Sequence, residues 1–197
     1  KKKIPKGFVS TYENIKIYNI SSFDLRLSKL NKKNIQVDNQ LSYFFYKTLE
    51  GNKLFFKDDP CKILKSQKNK VEILQSKSAH LNDGVALVKF YYWLDENYKK
   101  IKITEFKAAE KLEQFRKENT NYFSSSFPTI SATGANGAII HYKPNKESSV
   151  LKKGELYLCD SGGQYYGGTT DITRTIYLGD KPPEKLKLIY TKVLLGH

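Results

Sequence analysis

The spacing of apolar positions changes three times along the chain, and each change predicts a different architecture. Between residues 14 and 56, short apolar runs alternate with short periodic ones. Residues 14–20 carry Ile15, Ile17 and Tyr18 and predict a strand; residues 24–30, with Leu25, Leu27 and Leu30, predict a helix. Residues 34–37 predict a second strand, residues 41–49 a helix begun near Asn39, and residues 53–56 a third strand before Asp58-Asp59-Pro60. Strands alternating with helices at this spacing predict an α/β layer. From about Ser66 the period lengthens. Val71, Leu74, Ser78, Leu81, Val85, Val88 and Tyr92 recur every three or four residues, which predicts one long amphipathic helix ending near Asn97 with this stripe as its apolar face. A second helix is expected after Thr104, a good N-cap with Glu105 behind it, and Phe106, Ala109, Leu112 and Phe115 form its expected buried stripe.

Beyond Ser124 the period falls to two. Residues 127–133 and 138–142, flanking Gly134-Ala135-Asn136-Gly137, predict a hairpin, because Asn-Gly is a strong turn signal. A polar loop (143–149) and the turn Lys152-Lys153-Gly154 lead into two further strands around a glycine-rich turn. Near Pro182-Pro183-Glu184 a final helix opens, with Leu186, Ile189, Val193 and Leu194 on one side. The expected fold class is therefore α/β followed by α+β, divided into residues 1–65 and 66–197.

Composition narrows the function classes. The chain has 197 residues, 39% hydrophobic and 13% aromatic, enough for a folded core. It begins with Lys1, has no Met and stops at His197 within a helix-like apolar run, so it is expected to be a piece of something longer. No apolar stretch approaches the roughly 20 residues that span a bilayer, and no membrane partner is expected. The separated Cys61 and Cys159 form no metal-binding unit; with no evident signal peptide, they point to a reducing, cytoplasmic setting. The net charge of +14 suggests nucleic acid, but only three of the 34 basic residues are arginines (Arg26, Arg116 and Arg174). Nucleic-acid sites use arginine for bidentate contacts and stacking; here the lysines are spread along the chain, so no nucleic-acid partner is expected. His80, next to the long helix's stripe, reads as an ordinary packing or surface histidine.

The chemistry concentrates on two carboxylates. Asp160 and Asp171 flank Ser161-Gly162-Gly163-Gln164-Tyr165-Tyr166-Gly167-Gly168-Thr169-Thr170. A turn centred between Tyr165 and Tyr166 would put residue 160 directly opposite 171, with Cβ atoms roughly 5 Å apart on one face of the sheet. Like charges in that arrangement repel, and a hard cation between them reverses the sign. The alternative is that both are turn residues bonded to nearby Ser and Gly backbone. Thr170, Thr173 and Thr175 are placed to orient a ligand carboxylate.

These residues also carry a resemblance. Asp160-Ser161-Gly162-Gly163-Gln164-Tyr165, followed by Thr169-Thr170-Asp171-Ile172-Thr173-Arg174-Thr175, resembles the metal-binding hairpin of the pita-bread metallopeptidases, in particular the aminopeptidase P (X-Pro aminopeptidase) family. Ser126-Phe127-Pro128-Thr129-Ile130-Ser131-Ala132-Thr133-Gly134, Gly137-Ala138-Ile139-Ile140-His141-Tyr142 and the helix around residues 79–94 are similar to it too. The likeness covers residues 60–197 well and residues 1–60 more loosely. It implies the tail of a creatinase-like α/β domain (1–65) followed by the first half of a pita-bread catalytic domain (66–197).

The same resemblance implies two divalent metal ions, most often Mn2+, with Asp160 chelating one and Asp171 bridging both. His141 would be the catalytic, substrate-binding histidine. The implied reaction removes the N-terminal residue from peptides with proline in second position, through a metal-bridged hydroxide, in a homodimer. The remaining family ligands, one His and two Glu, have no counterpart up to His197, so the fragment alone is expected to be inactive. A prolidase acting on X-Pro dipeptides and a non-catalytic pita-bread binding protein are the alternatives. Retention of Asp160, Asp171 and His141 weighs against the latter.

Overall fold

The structure is a computed structural model that describes residues 16–197. The backbone divides into two units, Lys1–Gln67 and Lys68–His197. In the first, β1 (Asn34–Val37) and β2 (Lys53–Phe56) pair in parallel, joined by helix α2 (Tyr43–Thr48), while α1 (Phe23–Ser28) precedes and α3 (Pro60–Ser66) follows. Val37 and Leu49 are its buried apolar residues among those described. Of the expected strand at 14–20, residues 14 and 15 lie outside the described residues. The remainder is irregular and ends in a 3-10 turn, Ile20–Ser22, because the Asn19 side chain accepts the Ser21 N–H and caps a turn instead.

In the second unit, α4 (Lys70–Asn97) begins at a capping box. The Asn69 side chain accepts the Glu72 N–H, and the Glu72 carboxylate accepts the Asn69 N–H. Helix α5 (Glu105–Lys117) begins at Thr104, whose hydroxyl accepts the Lys107 N–H. Two three-stranded antiparallel sheets follow. One has the order β4 (Ile130–Thr133), β5 (Leu156–Ser161), β8 (Ile172–Tyr177); the other has β3 (Tyr122–Ser125), β6 (Gly163–Tyr165), β7 (Gly168–Thr169). Helix α6 (Glu184–Gly196) ends the chain.

The core lies between α4, α5 and one face of β5. Phe90, Leu94, Ala108, Leu112, Tyr157 and Cys159 are buried together there. Alternation along β5 sends Tyr157, Cys159 and Ser161 into this core and Leu158 and Asp160 to the opposite face.

Three expectations are corrected. The long helix does not bury Val71, Leu74, Leu81, Val85, Val88 and Tyr92, all of which are exposed. Its buried face is Ala79, Asp83, Ala86, Leu87, Phe90 and Leu94. The reason is close approach: a Cβ at Gly168, on the hairpin tip, would lie 2.6 Å from the Ala79 Cβ. Only small side chains admit that contact, so the helix turns Ala79 inward. In α5 the buried positions are Glu105, Ala108, Leu112 and Arg116, which share only Leu112 with the expected stripe. The hairpin expected across residues 127–142 does not form either. Gly134–Ala138 is a 3-10 turn, and β4 pairs with β5. Asn136 does not serve as a hairpin corner; its side-chain amide donates to the Glu105 carboxylate at 3.0 and 3.1 Å.

Phe90 is fully buried and its ring sits 6.3 Å from that of Tyr157. Phe90→Ala should therefore destabilise the intact protein by about 3–5 kcal/mol, read as a lower denaturant midpoint at unchanged slope.

Candidate metal centre

Asp160 and Asp171 lie where the two sheets of the second unit meet. The chain passes from β5 into β6 at Gly162, and from β7 into β8 through Thr170 and Asp171. Register is continuous through this crossing. Gln164 pairs with Thr169 and Tyr165 with Gly168 on one side, Ser161 with Ile172 and Asp160 with Thr173 on the other. The turn therefore falls at Tyr166-Gly167, where Gly167 has a φ of +95° that a side chain would strain.

This overturns the expected register. Asp160 faces Thr173, and Asp171 is the diagonal neighbour two positions along. The two carboxylates still share one sheet face, but diagonal partners stand about 7–8 Å apart at Cα, farther than a direct pair. The shift weakens their mutual repulsion and leaves room between them.

Gly162 holds the crossing closed. A Cβ there would sit 2.0 Å from the Thr170 carbonyl oxygen and 2.3 Å from the Ser126 hydroxyl. That hydroxyl donates to the Thr170 carbonyl at 2.9 Å, and the Ser126 N–H donates to the Gly162 carbonyl at 3.0 Å. Thr170 is buried, and its hydroxyl accepts the Gly163 N–H at 2.9 Å. It therefore braces the hairpin and does not orient a carboxylate. Thr173 and Thr175 make no hydrogen bond to Asp160 among the described residues.

The surroundings of the two acids differ. Asp160 Oδ1 is buried without a hydrogen-bond partner, whereas Asp171 is exposed. A buried carboxylate oxygen without a donor is costly unless a cation satisfies it. An orphaned oxygen beside a second carboxylate on the same face fits a hard, oxygen-seeking divalent ion. Among the described residues no group of three or more His, Cys, Asp or Glu is gathered for metal binding.

His141 is not on a strand. It is exposed in the turn after Gly134–Ala138 and holds a left-handed backbone with φ of +56°. Among the described residues no hydrogen bond or ion pair joins its side chain to Asp160 or Asp171. The 3-10 turn that precedes it does lie over the same sheet face, since a Cβ at Gly137 would be 4.0 Å from the Leu158 Cβ.

On the other face of β5 is a cluster that apolar periodicity does not reveal. Arg116 donates through Nε to Asp83 Oδ1 at 2.7 Å and through one terminal nitrogen to Oδ2 at 3.1 Å. The same nitrogen donates to the Ser161 hydroxyl at 3.0 Å. The Tyr165 hydroxyl donates to Asp83 Oδ1 at 2.8 Å. Both charged side chains have no exposure. Burial and the neighbouring Asp83 carboxylate push the Tyr165 phenol well above its ordinary range, so it stays a donor. The available signal was spacing: Asp83 falls four residues after Ala79 and three before Ala86, inside the true buried stripe.

The description Metallopeptidase family M24 matches residues 75–197. The chain is 40% identical over 202 residues to Xaa-Pro aminopeptidase 1 of Dictyostelium discoideum, covering all of this chain and 31% of that protein. The crystal structure of an X-prolyl aminopeptidase from Caenorhabditis elegans, described as a cytosolic enzyme with a di-nuclear active site, is similar at a TM-score of 0.70. It is 31% identical, over 76% of this chain and 25% of that one. Prolidase from Pyrococcus furiosus is similar at a TM-score of 0.72 and 25% identity, over 97% of this chain and 56% of that one. The mixed α/β architecture is thus that of the pita-bread metallopeptidases. The chain spans about a third of the length of the curated relatives it matches.

Two variants probe this geometry. Gly162→Ala should force Thr170 and the adjoining Asp171 away from β5, lowering both the melting temperature and the bound divalent metal of the intact protein. Asp83→Ala strands a buried guanidinium and should cost about 3–5 kcal/mol, measured by chemical denaturation.

Proposed function

The chain belongs to metallopeptidase family M24, and from that premise we propose that it is the segment of an X-Pro aminopeptidase that supplies the first two carboxylate ligands of a dinuclear metal site. In this reading residues 1–65 are the tail of the preceding α/β domain, and residues 66–197 are the first half of the catalytic domain. The observation that carries the reading is the orphaned Asp160 Oδ1 on the same sheet face as Asp171. The relatives' names support the proposed reaction class: removal of the N-terminal residue from peptides with proline in second position.

Asp160 would chelate one ion and Asp171 would bridge the pair. Mn2+ is the proposed metal, since two carboxylates suit hard divalent ions. When bound, such ions lower the pKa of water and polarise the scissile carbonyl. This chain's residues hold and orient. Gly162 and Ser126 keep the two carboxylate-bearing segments in register, and Ser161, held by Arg116, fixes the backbone next to Asp160. His141 is proposed to face the substrate and to position the peptide or its reacting carbonyl. Two carboxylates cannot hold two ions tightly, so residues 1–197 alone are proposed to be inactive. A homodimer belongs to the same reading. A cytoplasmic setting is supported by the cytosolic X-prolyl aminopeptidase from Caenorhabditis elegans and by two free cysteines. No described helix is long and apolar enough to cross a membrane.

A prolidase is the second reading, supported by the similarity to the Pyrococcus furiosus enzyme over 97% of the chain. Substrate length separates the two. The full-length protein with added Mn(II) should cleave Xaa-Pro-Yaa tripeptides before proline. Cleavage confined to Xaa-Pro dipeptides would establish the prolidase instead. In the same assay Asp171→Ala should lose bound metal and reduce the rate by at least about 100-fold; a variant that retains wild-type rate and metal content removes Asp171 from the site.

A further inference from the structure

Glu105 has no side-chain exposure, yet it carries a carboxylate that the metal reading does not use. It stands in the first turn of α5, where the helix dipole favours negative charge. Three donors from one short segment converge on it. The Thr133 N–H donates to Oε1 at 2.7 Å, the Asn136 amide donates to Oε1 and Oε2 at 3.0 and 3.1 Å, and the Tyr142 hydroxyl donates to Oε2 at 2.7 Å. The Ser131 hydroxyl adds a bond to the Glu105 carbonyl at 2.7 Å, tying β4 to the same point.

These anchors bracket His141. The Ile139 N–H donates to the Asn136 carbonyl, and the Tyr142 N–H to the Ile139 carbonyl, at 3.1 and 3.2 Å. The backbone is thus pinned before residue 137 and again at residue 142. Between the pins His141 keeps its φ of +56°, a left-handed conformation disfavoured for a residue with a Cβ. Backbone held in a disfavoured region needs its surroundings to over-determine it. An ionised carboxylate, with about four acceptor sites, can take three donors at once. Burial, reinforced by the Glu105 carboxylate, raises the Tyr142 phenol above its ordinary range, so it remains a donor to Glu105.

We propose that Glu105, acting through Asn136 and Tyr142, is a positioning residue that fixes the His141 turn and thereby the direction of the imidazole toward substrate. The proposal rests on the substrate-facing reading of His141 given above. It explains why a carboxylate is buried at the head of α5, and why His141 can be exposed and still held.

The test is a double-mutant cycle in the full-length protein, with kcat, KM and bound metal measured on an Xaa-Pro-Yaa peptide with added Mn(II). Tyr142→Phe deletes one hydroxyl and avoids the folding risk of removing Glu105. It should lower kcat/KM about ten-fold with bound metal unchanged, and should cause no further loss in a His141→Ala background. A Tyr142→Phe enzyme with wild-type kinetics, or one whose loss is equal in both backgrounds, overturns the clamp. His141→Ala with wild-type kinetics overturns the underlying reading of His141 itself, and that arm tells the two failures apart.

Discussion

The second unit is organised around one desolvated ion pair. Asp83 comes from the middle of α4 and Arg116 from the last turn of α5, and their bidentate contact has no exposure on either side. A charge removed from water is tolerable only when its hydrogen-bonding capacity is met. Here the Ser161 hydroxyl and the Tyr165 phenol, both on the incoming half of the hairpin, meet most of it, and one Arg116 terminal nitrogen is buried without a partner among the described residues. The pair therefore sets more than the crossing of two helices. It selects which residues of β5 and β6 point inward, because a one-residue slip would replace Ser161 and Tyr165 with groups on the wrong face.

That choice of face determines what the opposite face can do. With Tyr157, Cys159 and Ser161 in the core, Asp160 must point away from it, and continuous register then brings Asp171 to the same side. The arrangement works only if the sheets cross without a gap, which requires Gly162 against the Thr170 carbonyl. Two buried acids thus fasten the frame from opposite ends, Asp83 at the hairpin and Glu105 at the turn before His141. Neither is among the proposed ligands.

The candidate ligands were legible in the sequence, because two Asp residues flanking a glycine-rich hairpin pose an electrostatic question by their spacing alone. Their register was not. Two tyrosines and two adjacent glycines allow the turn to be centred at 165–166 or 166–167, and tertiary contacts, among them the close approach of Gly168 to Ala79 and the bond of Tyr165 to Asp83, go with the second. Asn136-Gly137 misled for a related reason. The dipeptide suits a hairpin corner locally, but the Asn136 amide gains more from a buried carboxylate 31 residues away. Local turn chemistry cannot register a partner that distant. The buried roles of Asp83, Glu105 and Arg116 are not legible in the sequence, because a reading by apolar stripes sorts charged residues to the solvent side.

The misassigned face of α4 carries a different lesson. Its period of three and four is real on two sides at once: Ala79, Ala86, Phe90 and Leu94 on the buried side, and Val71, Leu74, Leu81, Val85, Val88 and Tyr92 on the exposed side. A helix apolar on one side announces its buried face by periodicity alone; a helix apolar on two sides does not. What breaks the tie is residue size and charge. The buried side carries Ala79 where a glycine hairpin touches and Asp83 where an arginine does. Weighting a stripe by its small and charged members, as well as its hydrophobic ones, would have identified the packed face from the sequence.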